Sequence, residues 1–172
     1  MSNFGVEAKV SGSVDMKKIE QFARKASCSI LVGFRSGQMH VPSVHKNAKT
    51  KKYDMDDIAA MEPIETSELA KMLHYGTSEI PARPFLEDGI LSKKNELYEA
   101  LRQESRRELE GEGANWDKVG TMAVGAVNEL VRSDWYKDRV PNAISTIIAK
   151  EGGDTPLIDS GNLMQSLDYV VM

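Results

Sequence analysis

Asp159-Ser160-Gly161 is the tripeptide in this chain whose residue types come nearest to catalytic chemistry. A serine nucleophile needs a base within hydrogen-bond reach and a third group that orients the base. His74 is the histidine that falls in a helical pattern, and nothing in the spacing brings it to Ser160. An aspartate or serine just before an apolar helical stretch has a simpler use. It satisfies the free N–H groups of a helix N-terminus, worth about 1 kcal/mol. Asp159-Ser160 therefore reads as a cap. His74, one turn before a helix end, reads as a packing residue beside Tyr75 or a partner of the helix dipole. Paired carboxylates occur at Asp56-Asp57 and Glu108/Glu110, both in highly charged stretches that give no reason for a raised pKa. His40 and His45 straddle Pro42 without a zinc spacing, and Gly111-Glu-Gly-Ala-Asn115 has neither the lysine nor the preceding strand of a phosphate loop. The single cysteine, Cys28, has no neighbour in sequence that would activate it and reads as an inert, buried thiol. No catalytic residue, cofactor or metal ligand is expected, and no enzyme class is supported.

The chain has 172 residues, a formal net charge of -4, 41% hydrophobic and 28% charged residues. That composition belongs to a globular domain and predicts one domain over 1–172. No apolar run is long enough to cross a bilayer, and the first residues lack the order of a signal peptide, so cytoplasmic synthesis and no membrane partner are expected. The acidic balance argues against binding duplex DNA over the whole surface. Locally, Lys46, Lys49, Lys51 and Lys52 form a basic run that Asp54, Asp56 and Asp57 follow. It reads either as a solvated loop of offsetting charge or as a loop facing nucleic acid or an acidic partner.

Val6–Val10 alternates as an edge strand, and Ile19, Phe22, Ala23 and Ala26 recur at helical spacing over Met16–Ala26, with Asp15 as cap. Ser29–Phe34 reads as a buried strand, and Arg35–Gln38 as a turn into a hairpin partner at Met39–Val44. From His45 to about Glu62 the chain is a long polar excursion, in which Met55, Ile58, Ala59 and Met61 suit one helical turn. Thr66 or Ser67 is placed to cap a helix carrying Leu69, Met72 and Leu73, which Gly76 ends. Pro81 and Pro84 dictate a stiff, non-helical crossing over Ile80–Phe85, anchored in the core by Phe85 and Leu86. Gly89 to about Glu110 reads as one long helix whose charged second half projects into water or meets another chain.

Trp116, Val119, Ala123, Ala126, Val127 and Leu130 form a continuous stripe, so Trp116–Arg132 is predicted as a core helix capped by Asn115. Asp134–Val140 reads as a charged aromatic loop. Pro141 then suits the first turn of a short helix with Ile144, Ile147 and Ile148, ended by Glu151-Gly-Gly-Asp154. A short helix with Leu163 and Leu167 follows Pro156–Gly161, and Asp168–Met172 reads as a strand closing the sheet begun by Ser29–Phe34. The expected class is α+β: a small, mostly antiparallel sheet packed by an N-terminal helix and two longer central helices, with a long charged loop. Arg83, between Ala82 and Pro84, is the charged residue held most rigidly, suited to an acidic partner on this chain or a neighbour.

His74-Tyr-Gly-Thr followed by Ile80-Pro-Ala-Arg-Pro-Phe85 resembles the "FGT…IPARPFL" signature of tailed-bacteriophage neck and tail-completion proteins. Thr155-Pro-Leu-Ile-Asp-Ser-Gly-Asn-Leu-Met-Gln-Ser-Leu167 is similar to that family's "kPLIDTGxLxxSI" motif, with Ser160 where threonine is usual. Ile30-Leu-Val-Gly-Phe34 resembles the early "VxVGI" strand. The motif positions are Tyr75, Gly76, Pro81, Arg83, Pro84, Phe85, Pro156, Asp159, Gly161 and Leu163. The resemblance implies a structural virion protein at the head–tail connection or the head-proximal tail end, made in the host cytoplasm. It also implies a ring, commonly hexameric, with connector, tail-terminator or tail-tube proteins as neighbours and phage DNA in the channel. The Lys46–Lys52 run would then be a candidate DNA or partner contact. The alternative is a small cytoplasmic hydrolase or nuclease using His74 and carboxylates.

Overall fold

A computed structural model describes residues 28–40, 62–150 and 153–172. The expected strand at Val6–Val10, the helix at Met16–Ala26, most of the charged excursion with its helical turn, Pro42 and Lys46, Lys49, Lys51 and Lys52 lie outside the described residues. The described residues form an α+β fold. In order they are β1 (Ile30–Phe34), β2 (Met39–His40), β3 (Ile64–Glu65), α1 (Thr66–Tyr75), α2 (Phe85–Ser92), α3 (Lys94–Glu110), α4 (Trp116–Arg132), α5 (Asp134–Arg139), α6 (Ile144–Ala149), α7 (Asn162–Gln165) and β4 (Leu167–Val171).

The centre is α4, as its apolar stripe predicts. Val119, Ala123, Ala126, Val127, Leu130 and Val131 are buried, and the Asn115 side chain caps the helix by accepting the Lys118 N–H at 3.1 Å. Helices α2, α3 and α5 and both long strands pack on it. Strand β1 pairs antiparallel with β4, from Ile30 opposite Val171 to Phe34 opposite Leu167, so the expected closure of the sheet is present. The expected hairpin is not. The Arg35–Gln38 turn is present, but β2 leaves β1 and pairs with β3. The Gly37 N–H donates to the Glu65 carboxylate at 2.8 Å, and the Thr66 N–H to the Gln38 carbonyl, so this turn is tied to the start of α1 rather than to β1. Nor is β1 buried on both faces. Val32 and Phe34 pack on the core while Leu31 points to solvent, as in a two-stranded ribbon with one covered face.

Helix boundaries differ from the expectation where local hydrogen bonds compete with the apolar period. Neither Thr66 nor Ser67 caps α1; the N-cap is Glu65, without a side-chain cap, and Thr66 is buried inside the first turn. The predicted Gly89–Glu110 helix starts earlier, at Phe85, and is broken at Lys93. The Ser92 hydroxyl donates to the Gly89 carbonyl at 2.7 Å, the acceptor that the Lys93 N–H would use to continue the helix, and Lys93 turns out to meet Glu96 and Glu129. Asp134–Arg139, expected as a loop, is helical, with the Ser133 side chain accepting the Tyr136 N–H. Pro141 precedes α6 rather than opening it, and Leu167 belongs to β4 rather than to the preceding helix.

The polar second half of α3 is largely exposed, as expected, with one buried exception. Glu104, with 1% of its surface exposed, accepts the Asn115 N–H at 2.9 Å, Arg107 Nη1 at 3.0 Å and Lys118 Nζ at 3.3 Å. The Asn115 N–H, then Lys118 and Arg107, hold its carboxyl below the ordinary carboxylate range against the opposing effect of burial. Glu108 accepts the Ala114 N–H and Glu110 pairs with Arg106. Glu104 and Glu108 therefore fasten the Gly111–Asn115 turn to α3.

Candidate functional site

The bend after α1 is built as its glycine and prolines require. Gly76 has φ 78°, and a Cβ there would lie 2.7 Å from the Ala82 nitrogen and 2.8 Å from the Ile80 carbonyl. Both the left-handed backbone and the close approach exclude a side chain. The Thr77 N–H donates to the Ile80 carbonyl and Thr77 Oγ1 accepts the Ile80 N–H at 3.0 Å, closing a tight turn. The Arg83 N–H returns to the Leu73 carbonyl at 2.9 Å, so the extended Pro81–Pro84 segment is strapped to the end of α1. Phe85 is fully buried but opens α2 instead of ending the crossing, and Leu86 is half-buried. Tyr75, expected to pack, is largely exposed and stands edge-to-face with the His74 ring.

The downstream motif forms a second tight structure. Pro156 and Leu157 turn the chain, and Leu157 has φ 60°, a conformation that costs a branched, non-glycine residue about 1–2 kcal/mol. Lys150 holds this turn: its ammonium donates to the Ile158 carbonyl at 2.6 Å and the Thr155 carbonyl at 3.2 Å. Burial pulls the Lys150 pKa below the ordinary lysine value, and Asp159 acts in the opposite direction. The expected cap of α7 by Asp159 or Ser160 is corrected. Gly161 is the N-cap, in the left-handed region at φ 84°, with no side-chain cap bond. The Ser160 hydroxyl accepts the Asn162 N–H at a long 3.4 Å.

These two structures meet. A cavity of about 200 Å³ is lined by Arg83 from the first motif, by Leu157, Asp159, Ser160, Gly161 and Leu163 from the second, and by His40, Asn142 and Lys150. Arg83 Nη2 donates to the Pro141 carbonyl at 3.4 Å, while Arg83 Nε and His40 Nδ1 are buried without hydrogen-bond partners among the described residues. His74, the histidine singled out by the sequence, faces elsewhere. It lines a cavity of about 190 Å³ with Phe34, Lys71 and Leu86, edge-on to Tyr75 and to Phe85 at 4.7 and 5.6 Å between ring centres. The packing reading of His74 fits this setting. The histidine that shares a cavity with Asp159 and Ser160 is His40, which the sequence places beside Pro42 in an irregular stretch. Only the β2–β3 pairing, invisible to local periodicity, brings it there.

Among the described residues no group of histidine, cysteine, aspartate and glutamate side chains is arranged to hold a metal ion, and no helix is long and apolar enough to cross a membrane. Cys28 is half-buried, and burial raises its thiol pKa. No family model, curated protein or solved structure matches the chain.

Proposed function

We propose that this chain is a structural virion protein of the head–tail connection or head-proximal tail end of a tailed bacteriophage, acting as one subunit of a ring, commonly hexameric. The observation that carries the reading is the meeting of the Tyr75–Phe85 and Pro156–Leu163 motifs around one cavity. Segments some eighty residues apart that resemble one family's signatures thus share a wall, Arg83 from the first and Asp159, Gly161 and Leu163 from the second. The surface gives further support. Leu91 and Trp135 lie exposed beside a groove of about 460 Å³ between α2, α4 and α5, and Ile144 and Ile148 are exposed on α6. A ring closed by rotation needs two different contact faces on each subunit. Large apolar side chains exposed at separate places suit that use.

Connector, tail-terminator or tail-tube proteins are the neighbours this reading entails, with DNA passing through the channel. In this arrangement Lys46, Lys49, Lys51 and Lys52 are the candidates for DNA or partner contact. Light scattering of the purified chain together with electron microscopy of the virion neck tests the proposal. A ring at that position is expected. A chain that stays monomeric and is absent from particles would end it. Charge reversal of the four lysines is expected to reduce DNA retention in assembled particles.

A hydrolase is the second reading, and one observation favours it: His40, Asp159 and Ser160 line the same cavity. It predicts that alanine at His40 or Ser160 abolishes a measurable ester or phosphodiester hydrolysis while leaving the fold unchanged.

A further inference from the structure

The cavity between the two motifs has a cationic character that the hydrolase reading does not use. Two cationic side chains, Arg83 and Lys150, line it together with His40 and the Ser160 hydroxyl. Lys150 is committed to the Thr155 and Ile158 carbonyls, and its charge stands against that of Asp159. Arg83 is differently placed. Its guanidinium meets a neutral acceptor, the Pro141 carbonyl, through Nη2 alone, and it makes no ion pair with a carboxylate among the described residues. Its Nε, and Nδ1 of His40 on the same lining, are buried without hydrogen-bond partners among the described residues. Arg83 Nε is always a donor and His40 Nδ1 is one when it carries the proton, and a buried polar nitrogen left unpaired is costly, so the site is suited to a ligand that satisfies them.

We propose that this cavity is an oxyanion site, taking a carboxylate or phosphate group on Arg83 and His40. The Nε–Nη edge of a guanidinium matches the two oxygens of such a group, and a fork of this kind is the usual protein recognition element for it. The backbone of Arg83 is fixed by its N–H bond to Leu73 and by the proline on its C-terminal side, so little order remains to be imposed on binding. At about 200 Å³ the space suits a small anion or one side-chain carboxylate rather than a drug-sized molecule, which needs roughly 300–1,000 Å³. The Ser160 hydroxyl adds a donor on the same lining. The site stands independently of the ring reading.

Titration calorimetry of the full chain with inorganic phosphate and with acetate, at constant ionic strength in chloride, tests the proposal. Saturable binding of one anion per chain is expected, weakened at least tenfold in Arg83→Gln and severalfold in Arg83→Lys, which keeps the charge but not the fork. His40→Ala, checked for fold by circular dichroism, gives a second route to the same loss should Arg83→Gln unfold. Arg132→Gln, on the exposed side of α4, is the control and should bind as the parent does. Light scattering with and without phosphate then identifies the natural source. Phosphate-driven dissociation of an assembly assigns the site to a carboxylate of a second copy, and binding without a change of mass assigns it to a free anion. Either outcome upholds the site. Equal binding by the parent and Arg83→Gln, or no saturable binding by folded parent protein, overturns it.

Discussion

Single residues whose polar atoms are buried give the sharpest expectations. The Glu104 carboxyl is held below its ordinary pKa in the folded state, chiefly by the Asn115 N–H and then by Lys118 and Arg107. A lowered folded pKa means that its contribution is complete above the unfolded carboxylate value, near 4.5, and is lost as pH falls through the folded value. Thermal unfolding followed from pH 7 to pH 3 should therefore show Glu104→Gln less stable than the parent at pH 7, the two curves converging in acid. Parallel curves would remove Glu104 from this role. Tyr136 gives the opposite limb. Burial, with Asp88 nearby, raises its phenol to about 12, and its hydroxyl has no hydrogen-bond partner among the described residues. Its contribution is present below the unfolded value, near 10, and is lost as pH rises toward 12. Tyr136→Phe removes that alkaline loss. Because it also deletes an unpaired buried hydroxyl, it should leave stability at pH 7 unchanged or raise it by up to about 1 kcal/mol, measured by urea unfolding.

At the scale of elements, the seam between α2 and α4 depends on one missing side chain. A Cβ on Gly89 would lie 2.7 Å from Val127 Cα and 2.8 Å from its Cγ2, so the two helices meet backbone to side chain without clearance. Gly89→Ala should destabilise by about 1–3 kcal/mol through overpacking, despite alanine's better helix propensity. A gain in stability on denaturation would show that the seam is looser. The sequence reads Gly89 as a helix start, whereas it is an interior contact point. This element and its neighbours show what local pattern can and cannot tell. The stripe from Val119 to Leu130 fixes α4 because its period runs unbroken for several turns, and Asn115 marks its start. The break at Lys93 is invisible because the hydroxyl of Ser92 competes for one carbonyl without disturbing the apolar period. The burial of Glu104 is equally hidden. A charged residue in a charged stretch gives no sign of the turn it will hold.

For the whole molecule, the closure of β1 by β4 was legible from two short apolar strands, while the departure of β2 toward β3 was not. Its partner lies beyond a long excursion, and hairpin proximity favours the wrong pairing. The same remote pairing delivers His40 to the cavity, so half of the candidate site rests on contacts that no local window contains. Hydrogen exchange should find the β1–β4 ladder and the buried face of α4 opening together, since Val32, Phe34 and Leu167 pack in the cluster that contains Val127 and Leu130. Ladder amides that exchange orders of magnitude faster than those of α4 would separate the ribbon from the core.

The register that sets Ile30 opposite Val171 has a consequence for how the protein comes into being. A ribosome delivers β4 more than a hundred residues after β1, so β1 waits through that interval without the strand it pairs with. Helices α2 to α4 are contiguous and can gather as they emerge, giving Val32 and Phe34 a surface to rest on in the meantime. The ribbon closes only when β4 arrives. Until then the nascent chain carries an open strand beside an apolar face, and it is in this interval, rather than in the finished fold, that the protein is most exposed to mispairing with other copies of itself.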